Sequence, residues 1–215
     1  MNYNYAFPYI PVEEVKLIFE LGARDCEDSV TLYKQFQCPI FTFECNPDGL
    51  VKCEETLKAA HNTPIELVKK AVNSYDGEVK FFPYDSSNIG ASSIFQHKYG
   101  SHLQTEIVVP CCRLDTFINE TTQKGPDLLC MDIQGAELIA LKSLGSFIRD
   151  VKYVASECSI EGFYADSYVF KDIYMFMTEQ GFEITQSGYL HRELIGYLNG
   201  NTMDRKEMDV VWVRQ

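Results

Sequence analysis

Four short apolar runs, each closed by a carboxylic acid, constrain the fold of this 215-residue chain more than any other feature of its sequence. The acids are Glu20, Glu44, Asp132 and Glu157, and residues with helical periodicity follow the runs. Strands that alternate with helices form a parallel sheet covered on both faces. The pattern predicts an α/β fold with a doubly wound, mostly parallel seven-stranded sheet, in which all four acids line the carboxyl edge where ligands bind.

Apolar spacing and turn residues predict the remaining elements. Helices are predicted at residues 27–37, after the N-cap pair 46–47, in a short segment starting at 63–64, and at 114–120, 136–144 and 167–180. Beyond the four runs, strands are predicted at 78–83, 106–110, 182–185 and 208–213. No helix is predicted between the last two strands, so we expect them to form an antiparallel pair.

Charge and hydropathy limit the partners of the chain. A formal net charge of −12 disfavours nucleic acid, because binding phosphates requires a basic surface. A neutral or weakly charged substrate fits better. No apolar run approaches the ~20 residues that span a bilayer, and no leader pattern opens the chain. We therefore expect a cytoplasmic protein without a membrane partner, and the sequence predicts no oligomeric state.

Residues 1–14 are expected to form an aromatic arm in front of a single domain of residues 15–215. The arm contains Tyr3, Tyr5 and Phe7 and is interrupted by two prolines, which fits neither an α-helix nor a strand. Chain ends usually pack loosely or against the domain surface. The arm therefore either packs through its rings or covers a ligand as a flap.

The eight cysteines contain no C-x-x-C pair, and several lie in apolar runs. A free thiol in such a run behaves as a small apolar side chain, so reduced, structural cysteines are predicted. His97 and His102 with Cys111 and Cys112 are the alternative, a metal cluster, but they lack the ligand spacing of a zinc site. No metal site is predicted, although a divalent ion remains compatible with the chain.

Two acids and one turn favour a particular nucleotide cofactor. Glu44 ends the second run, the place from which a carboxylate accepts hydrogen bonds from ribose hydroxyls. A pyrophosphate needs a turn with three glycines, whereas here Gly22 is followed by Cys26 at the position of the third. An acid on the first strand, a looser turn and a closing antiparallel pair are typical of S-adenosylmethionine-binding folds rather than dinucleotide-binding ones.

Five segments resemble the FkbM-type methyltransferases in their order and approximate spacing. They are Phe19–Asp25, Phe43–Pro47, Gly90–Ser93, Arg113–Phe117 and Met131–Glu137. The Asp-x-x-Gly-Ala-Glu pattern in the last segment is the most specific. The resemblance implies a class I methyltransferase that transfers a methyl group from S-adenosylmethionine to a hydroxyl of a sugar, glycan or small natural product.

The resemblance also implies the cofactor-binding residues. Contact with the methionine part is expected from Glu20, Gly22 and Ala23, with the ribose from Glu44, and with the adenine from Asp85 and Ser86; Arg24, Cys45, Asn46 and Asp132 complete the set. Three positions depart from the family pattern. Arg24 replaces an asparagine, Cys26 a glycine and Gln134 an acid.

Methylation of a hydroxyl requires a base, since an alcohol is a poor nucleophile at its own pKa. Asp132 is the candidate base, and Glu157 either orients the hydroxyl or shares a cation with it. The alternative is structural, with Asp132 capping the next helix and Glu157 binding a backbone amide. Arg24 is expected to pair with Asp25 or Asp28 rather than with the cofactor carboxylate.

Tyr164 and His191 are candidate substrate contacts, because aromatic rings stack on sugar faces. Ordinary aromatic packing is the alternative for both residues. A second function also fits the sequence, a catalytically silent S-adenosylmethionine-binding module that acts through a partner.

Overall fold

The computed structural model describes residues 2–84, 88–185 and 189–215 and contains two β-sheets. The strands are β1 (Ile18–Leu21), β2 (Ile40–Phe43), β3 (Ile65–Val68), β4 (Ala71–Val72), β5 (Gly77–Phe81), β6 (Ile107–Cys112), β7 (Leu128–Met131), β8 (Tyr153–Ser159), β9 (Phe182–Ile184) and β10 (Glu207–Arg214). The helices are α1 (Glu27–Phe36), α2 (Pro47–Ala59), α3 (Leu114–Glu120), α4 (Glu137–Ser143), α5 (Phe170–Glu179) and α6 (Tyr189–Leu198).

The main sheet has seven strands in the order β3-β2-β1-β7-β8-β10-β9. Neighbours from β3 to β8 are parallel, whereas β10 runs antiparallel to both β8 and β9. The predicted doubly wound α/β fold with a C-terminal antiparallel pair is therefore confirmed. Because β1, β2, β7 and β8 are parallel neighbours, the segments that follow them meet at one edge of the sheet.

Successive residues of the central strands point to opposite faces of the main sheet, and each face has its own core. Ile18 and Leu128 pack with residues of α1 and with the N-terminal arm. Phe19 and Leu129 pack with residues of α3, α4 and α5. Helical residues thus bury both faces of the sheet, as the near-continuous apolar strands require.

The arm of residues 2–14 forms three single 3₁₀ turns rather than an α-helix or a strand. Tyr3, Ala6 and Ile10 are buried against the face that carries α1. The Phe7 ring meets the Phe36 ring edge-on, with 5.6 Å between their centroids. The division into an arm and a domain at residue 14 stays a prediction.

In the N-terminal half one predicted element is wrong, and one predicted strand is present but lies outside the main sheet. The short helix expected from residue 63 is the strand β3, which pairs with β2 as the edge of the main sheet. Its apolar residues fit either period over so short a run, and pairing with β2 decides the outcome. The strand expected at 78–83 is β5, but it pairs antiparallel with β6 in a separate sheet of order β4-β6-β5.

Two expectations on the C-terminal half are also wrong. The helix α6 lies between β9 and β10, where none was predicted, and its Leu194 reaches the main core. Glu157 does not end its strand, because β8 continues to Ser159 through antiparallel pairing with β10. No helix in the described part of the chain is long and apolar enough to cross a bilayer.

Candidate active site

A cavity of about 300 Å³ opens at the carboxyl edge of β1, β2, β7 and β8. Its walls come from the turns after β1, β2 and β7, from the segment 88–94, and from single residues of the arm, α1, β8 and β10. The lining residues include Tyr3, Gly22, Ala23, Arg24, Asp28, Glu44, Cys45, Asn46, Lys70, Phe81, Ile94, Asp132, Gln134, Glu157 and Glu207. This volume is at the lower end of the range for ligand pockets.

The turn between β1 and α1 is held in an unusual backbone conformation. Gly22, Arg24 and Cys26 have positive φ angles of 86°, 54° and 61°. A Cβ at Gly22 would lie 2.0 Å from the backbone oxygen of Asp132, so only glycine fits there. Cys26 adopts the left-handed conformation that glycine favours, and its buried side chain packs with Cys53. The cysteine therefore preserves a glycine-like turn.

Glu44 is fixed at the cavity wall by backbone amides. Its Oε2 accepts a hydrogen bond from Arg24 N at 2.7 Å, and its Oε1 accepts from Cys45 N at 2.8 Å and Asn46 N at 2.7 Å. Burial raises the pKa of this carboxyl, and the three amides oppose that effect. A carboxylate has about four acceptor positions, so Glu44 retains capacity for a ligand hydroxyl.

Asn46 links the second turn to the segment 88–94. Its Oδ1 accepts from Asp48 N at 3.1 Å and caps α2, which confirms the predicted N-cap. Its Nδ2 donates to Ser92 Oγ at 3.1 Å. One side chain thus orders the start of a helix and the opposite wall of the cavity.

Glu20 does not line the cavity but lies beneath it. Its Oε2 accepts hydrogen bonds from Ser29 Oγ and, at 2.8 Å, from Thr42 Oγ1. Only 1% of the residue is exposed, and burial raises the pKa of the carboxyl to about 7. The carboxylate connects β1, β2 and α1 under the turn, so its expected contact with the methionine part stays a prediction.

Asp132 and Glu157 meet through Gln134. The Gln134 Nε2 donates to Asp132 Oδ1 at 2.7 Å and to Glu157 Oε2 at 2.9 Å. Burial, reinforced by the charge of Asp132, raises the pKa of Glu157 to about 8. A carboxyl group with a raised pKa, such as that of Glu157, can hold a proton near neutral pH, and Gln134 links it to a second carboxyl group at the cavity wall.

Tyr164 reaches these acids indirectly. It is 3% exposed and does not line the cavity, and its single hydroxyl proton is shared between two acceptors, Gln134 Oε1 at 2.7 Å and Ala91 O at 3.0 Å. The expected pair of Arg24 and Asp25 is confirmed, with 3.0 Å between Nε and Oδ2. Asp85, Ser86 and the side chain of His191 lie outside the described residues.

Several cavity residues were not predicted as site residues from the sequence. Among them, Tyr3 comes from the arm, Asp28 from α1, and Glu207 from β10, which brings it beside β8. No local pattern marks Asp28 or Glu207, whereas Tyr3 belongs to the arm, for which a flap over a ligand is one of the two expectations. Gln134 lies in the segment with the most specific family pattern, but from the sequence it is recognised only as a position where an acid of the family is replaced.

The cysteines and histidines show no metal-binding arrangement within the described residues. No group of three histidine, cysteine, aspartate or glutamate residues there could hold an ion. His97 Nδ1 accepts hydrogen bonds from Tyr99 N and Gly100 N, and its ring stacks on Phe163. All eight cysteines are free, and seven of them are buried, which fits a structural role.

Comparison with protein families gives one match over most of the chain. Residues 20–184 match the methyltransferase FkbM domain. A comparison by sequence with characterised proteins found no match. The matched range includes the turns after β1, β2 and β7 and the pair of Asp132 and Glu157.

Three solved structures with the same fold are distant from this chain in sequence. An rRNA methylase from Streptococcus thermophilus is 8% identical with a TM-score of 0.54, covering 100% of this chain and 96% of that one. Precorrin-6y C5,15-methyltransferase from Geobacter metallireducens is 11% identical with a TM-score of 0.52, covering 98% and 86%. Magnesium protoporphyrin IX methyltransferase from Synechocystis, with bound SAM, is 9% identical with a TM-score of 0.52, covering 98% and 75%.

Proposed function

This chain belongs to the FkbM methyltransferase family, and on that premise we propose that it methylates a hydroxyl of a carbohydrate or another small molecule. It is an S-adenosylmethionine-dependent methyltransferase. The observation that carries the finer proposal is the composition of the cavity wall. One part of the wall presents the Glu44 carboxylate, which is fixed by backbone amides. Another part presents Asp132 and Glu157, a pair of carboxyl groups that can take up a proton.

The residues present fit the cofactor. Because Gly22 has no Cβ, the turn after β1 packs directly against the backbone of Asp132, and this brings the ends of β1 and β7 together at the cavity wall. We assign Gly22 and Ala23 to the methionine part and Glu44 to the ribose hydroxyls. The apolar residues Phe81 and Ile94 line the cavity and suit the adenine ring. Arg24, Cys45 and Asn46 support this arrangement through the amides that hold Glu44.

The acceptor is expected to be neutral or cationic. Five acids line the cavity, Asp28, Glu44, Asp132, Glu157 and Glu207, against two basic residues, Arg24 and Lys70. The excess of acidic groups disfavours a phosphate group. Burial raises the pKa of both Asp28 and Glu207, since it disfavours their charged forms. This charge distribution supports a sugar or small-molecule hydroxyl rather than a nucleic acid.

The proposed chemistry is a direct displacement. When bound, the cofactor supplies a methyl group on a cationic sulfur. Asp132 accepts the proton of the acceptor hydroxyl as the oxygen bonds to the methyl carbon, and the electron pair of the broken carbon–sulfur bond stays on sulfur. Glu157 orients the hydroxyl beside Asp132. Correct positioning of the two reactants can contribute ~7–11 kcal/mol to the barrier reduction.

The aromatic arm is assigned to cover the cavity. Tyr3 lines the cavity although it precedes the domain, and it is 2% exposed. Its pKa is raised by burial, so it stays protonated and able to donate a hydrogen bond. Ala6 and Ile10 fix the arm to the domain core.

Cofactor binding is tested first, by titration calorimetry with S-adenosylmethionine, S-adenosylhomocysteine and NAD. We expect both sulfur compounds to bind, and Glu44→Gln to weaken them at least ~10-fold, because a hydrogen bond to a charged group contributes about 1.5–3 kcal/mol. Glu66→Gln, an exposed glutamate on β3, is the matched control. Binding of NAD alone would contradict the proposal.

The acceptor class is tested by screening carbohydrates and small metabolites for release of S-adenosylhomocysteine, with and without magnesium. Turnover of a neutral hydroxyl compound, lost in Asp132→Asn, supports the proposal. Turnover confined to RNA or protein substrates argues against it. Cofactor binding without turnover of any acceptor would favour the silent module.

A further inference from the structure

Gln134 occupies a backbone conformation that its surroundings impose. Its φ angle is +54°, and Gly135 follows at +98°. A left-handed residue other than glycine costs about 1–2 kcal/mol, so other contacts must hold it. Glu137 accepts hydrogen bonds from Ile133 N at 3.1 Å and Gly135 N at 3.0 Å, and Ser93 Oγ donates to Gln134 O at 2.8 Å.

The side-chain amide of Gln134 is fully engaged in one orientation. A primary amide nitrogen has two protons, and here one is directed to Asp132 and the other to Glu157. The amide oxygen accepts from the Tyr164 hydroxyl at 2.7 Å. A flipped amide would place its oxygen against two carboxyl groups, which is unfavourable. The tyrosine and the acids therefore select the same orientation.

Acidic groups surround Glu157 from two strands. Asp132 lies beyond the end of β7, while Glu207 and Asp209 belong to β10, where Asp209 is the direct cross-strand neighbour of Glu157. The buried Tyr164 and Cys158 also sense the charge of Glu157, which contributes to raising their pKa values. Gln134 is neutral and donates to the pair, whereas an acid at this position would add another negative charge and supply no fixed donor.

We infer that Gln134 positions Asp132 and Glu157 as one proton-accepting pair and that Tyr164 fixes the orientation of the Gln134 amide. The inference rests on the proposed function, since the pair faces the cavity assigned to the methyl donor and acceptor. Gln134 acts through the two acids and is a positioning residue. Its replacement of an acid thus organises the site instead of weakening it.

The test is a carbon-13 NMR titration of the glutamate side-chain carboxyls in the full chain, with Glu157 assigned through Glu157→Gln. We expect a wild-type midpoint near the raised pKa of about 8. Gln134→Glu is expected to raise the midpoint by about one unit, a tenfold change in acidity. Tyr164→Phe should raise the Glu157 midpoint by a smaller amount, because it keeps the ring and the Gln134 amide but removes the hydroxyl that orients the amide.

Gln123→Glu is the matched control, since Gln123 is exposed and has the same φ angle of +54°. Its midpoint for Glu157 should equal that of the wild type. If Gln134→Glu does not fold by circular dichroism, Tyr164→Phe decides the question. Wild-type midpoints in every folded variant would overturn the inference.

A second readout connects the pair to the cofactor. S-adenosylmethionine carries a positive sulfur and S-adenosylhomocysteine does not, so the ratio of their Kd values reports nearby negative charge. In the wild type the preference for S-adenosylmethionine should rise about tenfold as the pair ionises, and Gln134→Glu should move that rise to higher pH. A ratio that does not change with pH overturns the inference. If neither compound binds, the proposed function is contradicted, and the NMR titration alone then tests the positioning role of Gln134.

Discussion

Replacing Gly22 with alanine should damage both stability and cofactor binding. The new Cβ would lie 2.0 Å from Asp132 O and 3.2 Å from Ile133 Cγ2, at a φ angle of +86°. The backbone conformation alone costs alanine about 1–2 kcal/mol. To relieve the overlap, the turn that follows β7 must move. Overpacking of this kind costs about 1–3 kcal/mol more in the free energy of unfolding.

The expected loss for Gly22→Ala is thus about 2–5 kcal/mol in the free energy of unfolding. For a chain of this length each kcal/mol lowers Tm by about 2–4 °C, which thermal unfolding followed by circular dichroism can measure. Calorimetry on the folded variant should also show weaker S-adenosylmethionine binding, because Asp132 is displaced.

Gly200→Ala separates the two contributions. Gly200 has a similar φ angle of +93°, but a Cβ there would meet no atom within 4 Å. It should lose only the backbone part, about 1–2 kcal/mol, and bind the cofactor normally. Equal losses in the two variants would refute the steric argument for Gly22.

Three other substitutions test separate parts of the structure. Glu20→Gln should become more stable relative to the wild type as the pH rises from about 4.5 to 7. The pKa of Glu20 in the folded protein is about 7, above its ordinary value of 4.5, so the wild-type protein loses stability over that range and the variant does not. Urea unfolding at pH 5 and pH 8 measures this, and a pH-independent difference would contradict it. Asn46→Ala should cost about 1 kcal/mol through loss of the α2 cap, measured by thermal unfolding; an unchanged Tm would show that the cap is dispensable. Tyr3→Ala should weaken S-adenosylmethionine binding while Tyr75→Ala, at an exposed tyrosine, should not, and equal affinities would remove Tyr3 from the cavity wall.

Local sequence patterns were sufficient where neighbouring residues determine the structure. The apolar run before Gly22 predicts β1, and Asn46 followed by Pro47 predicts the start of α2. Both depend on interactions within a few residues, such as capping of a backbone amide. The positions of Glu44 and Asp132 after parallel strands follow from the same local reasoning.

Short runs were predicted less well because pairing with distant strands determined their structure. Residues 65–68 fit a helical or an extended pattern, and contact with β2 selects the strand. Glu157 lies within β8 because the distant strand β10 pairs with it through Asp209 and extends β8 past this position. No pattern inside either segment contains this information.

The sequence by itself determined the parallel direction of the central strands, the turn after β1 and the family of the chain. Only the tertiary structure placed Glu20 beneath the cavity, brought Tyr3 into its wall and joined Asp132 to Glu157 through Gln134. The physical reason is range. Strand, turn and cap preferences act between neighbours, whereas hydrogen bonds among buried side chains depend on the fold that brings distant residues together.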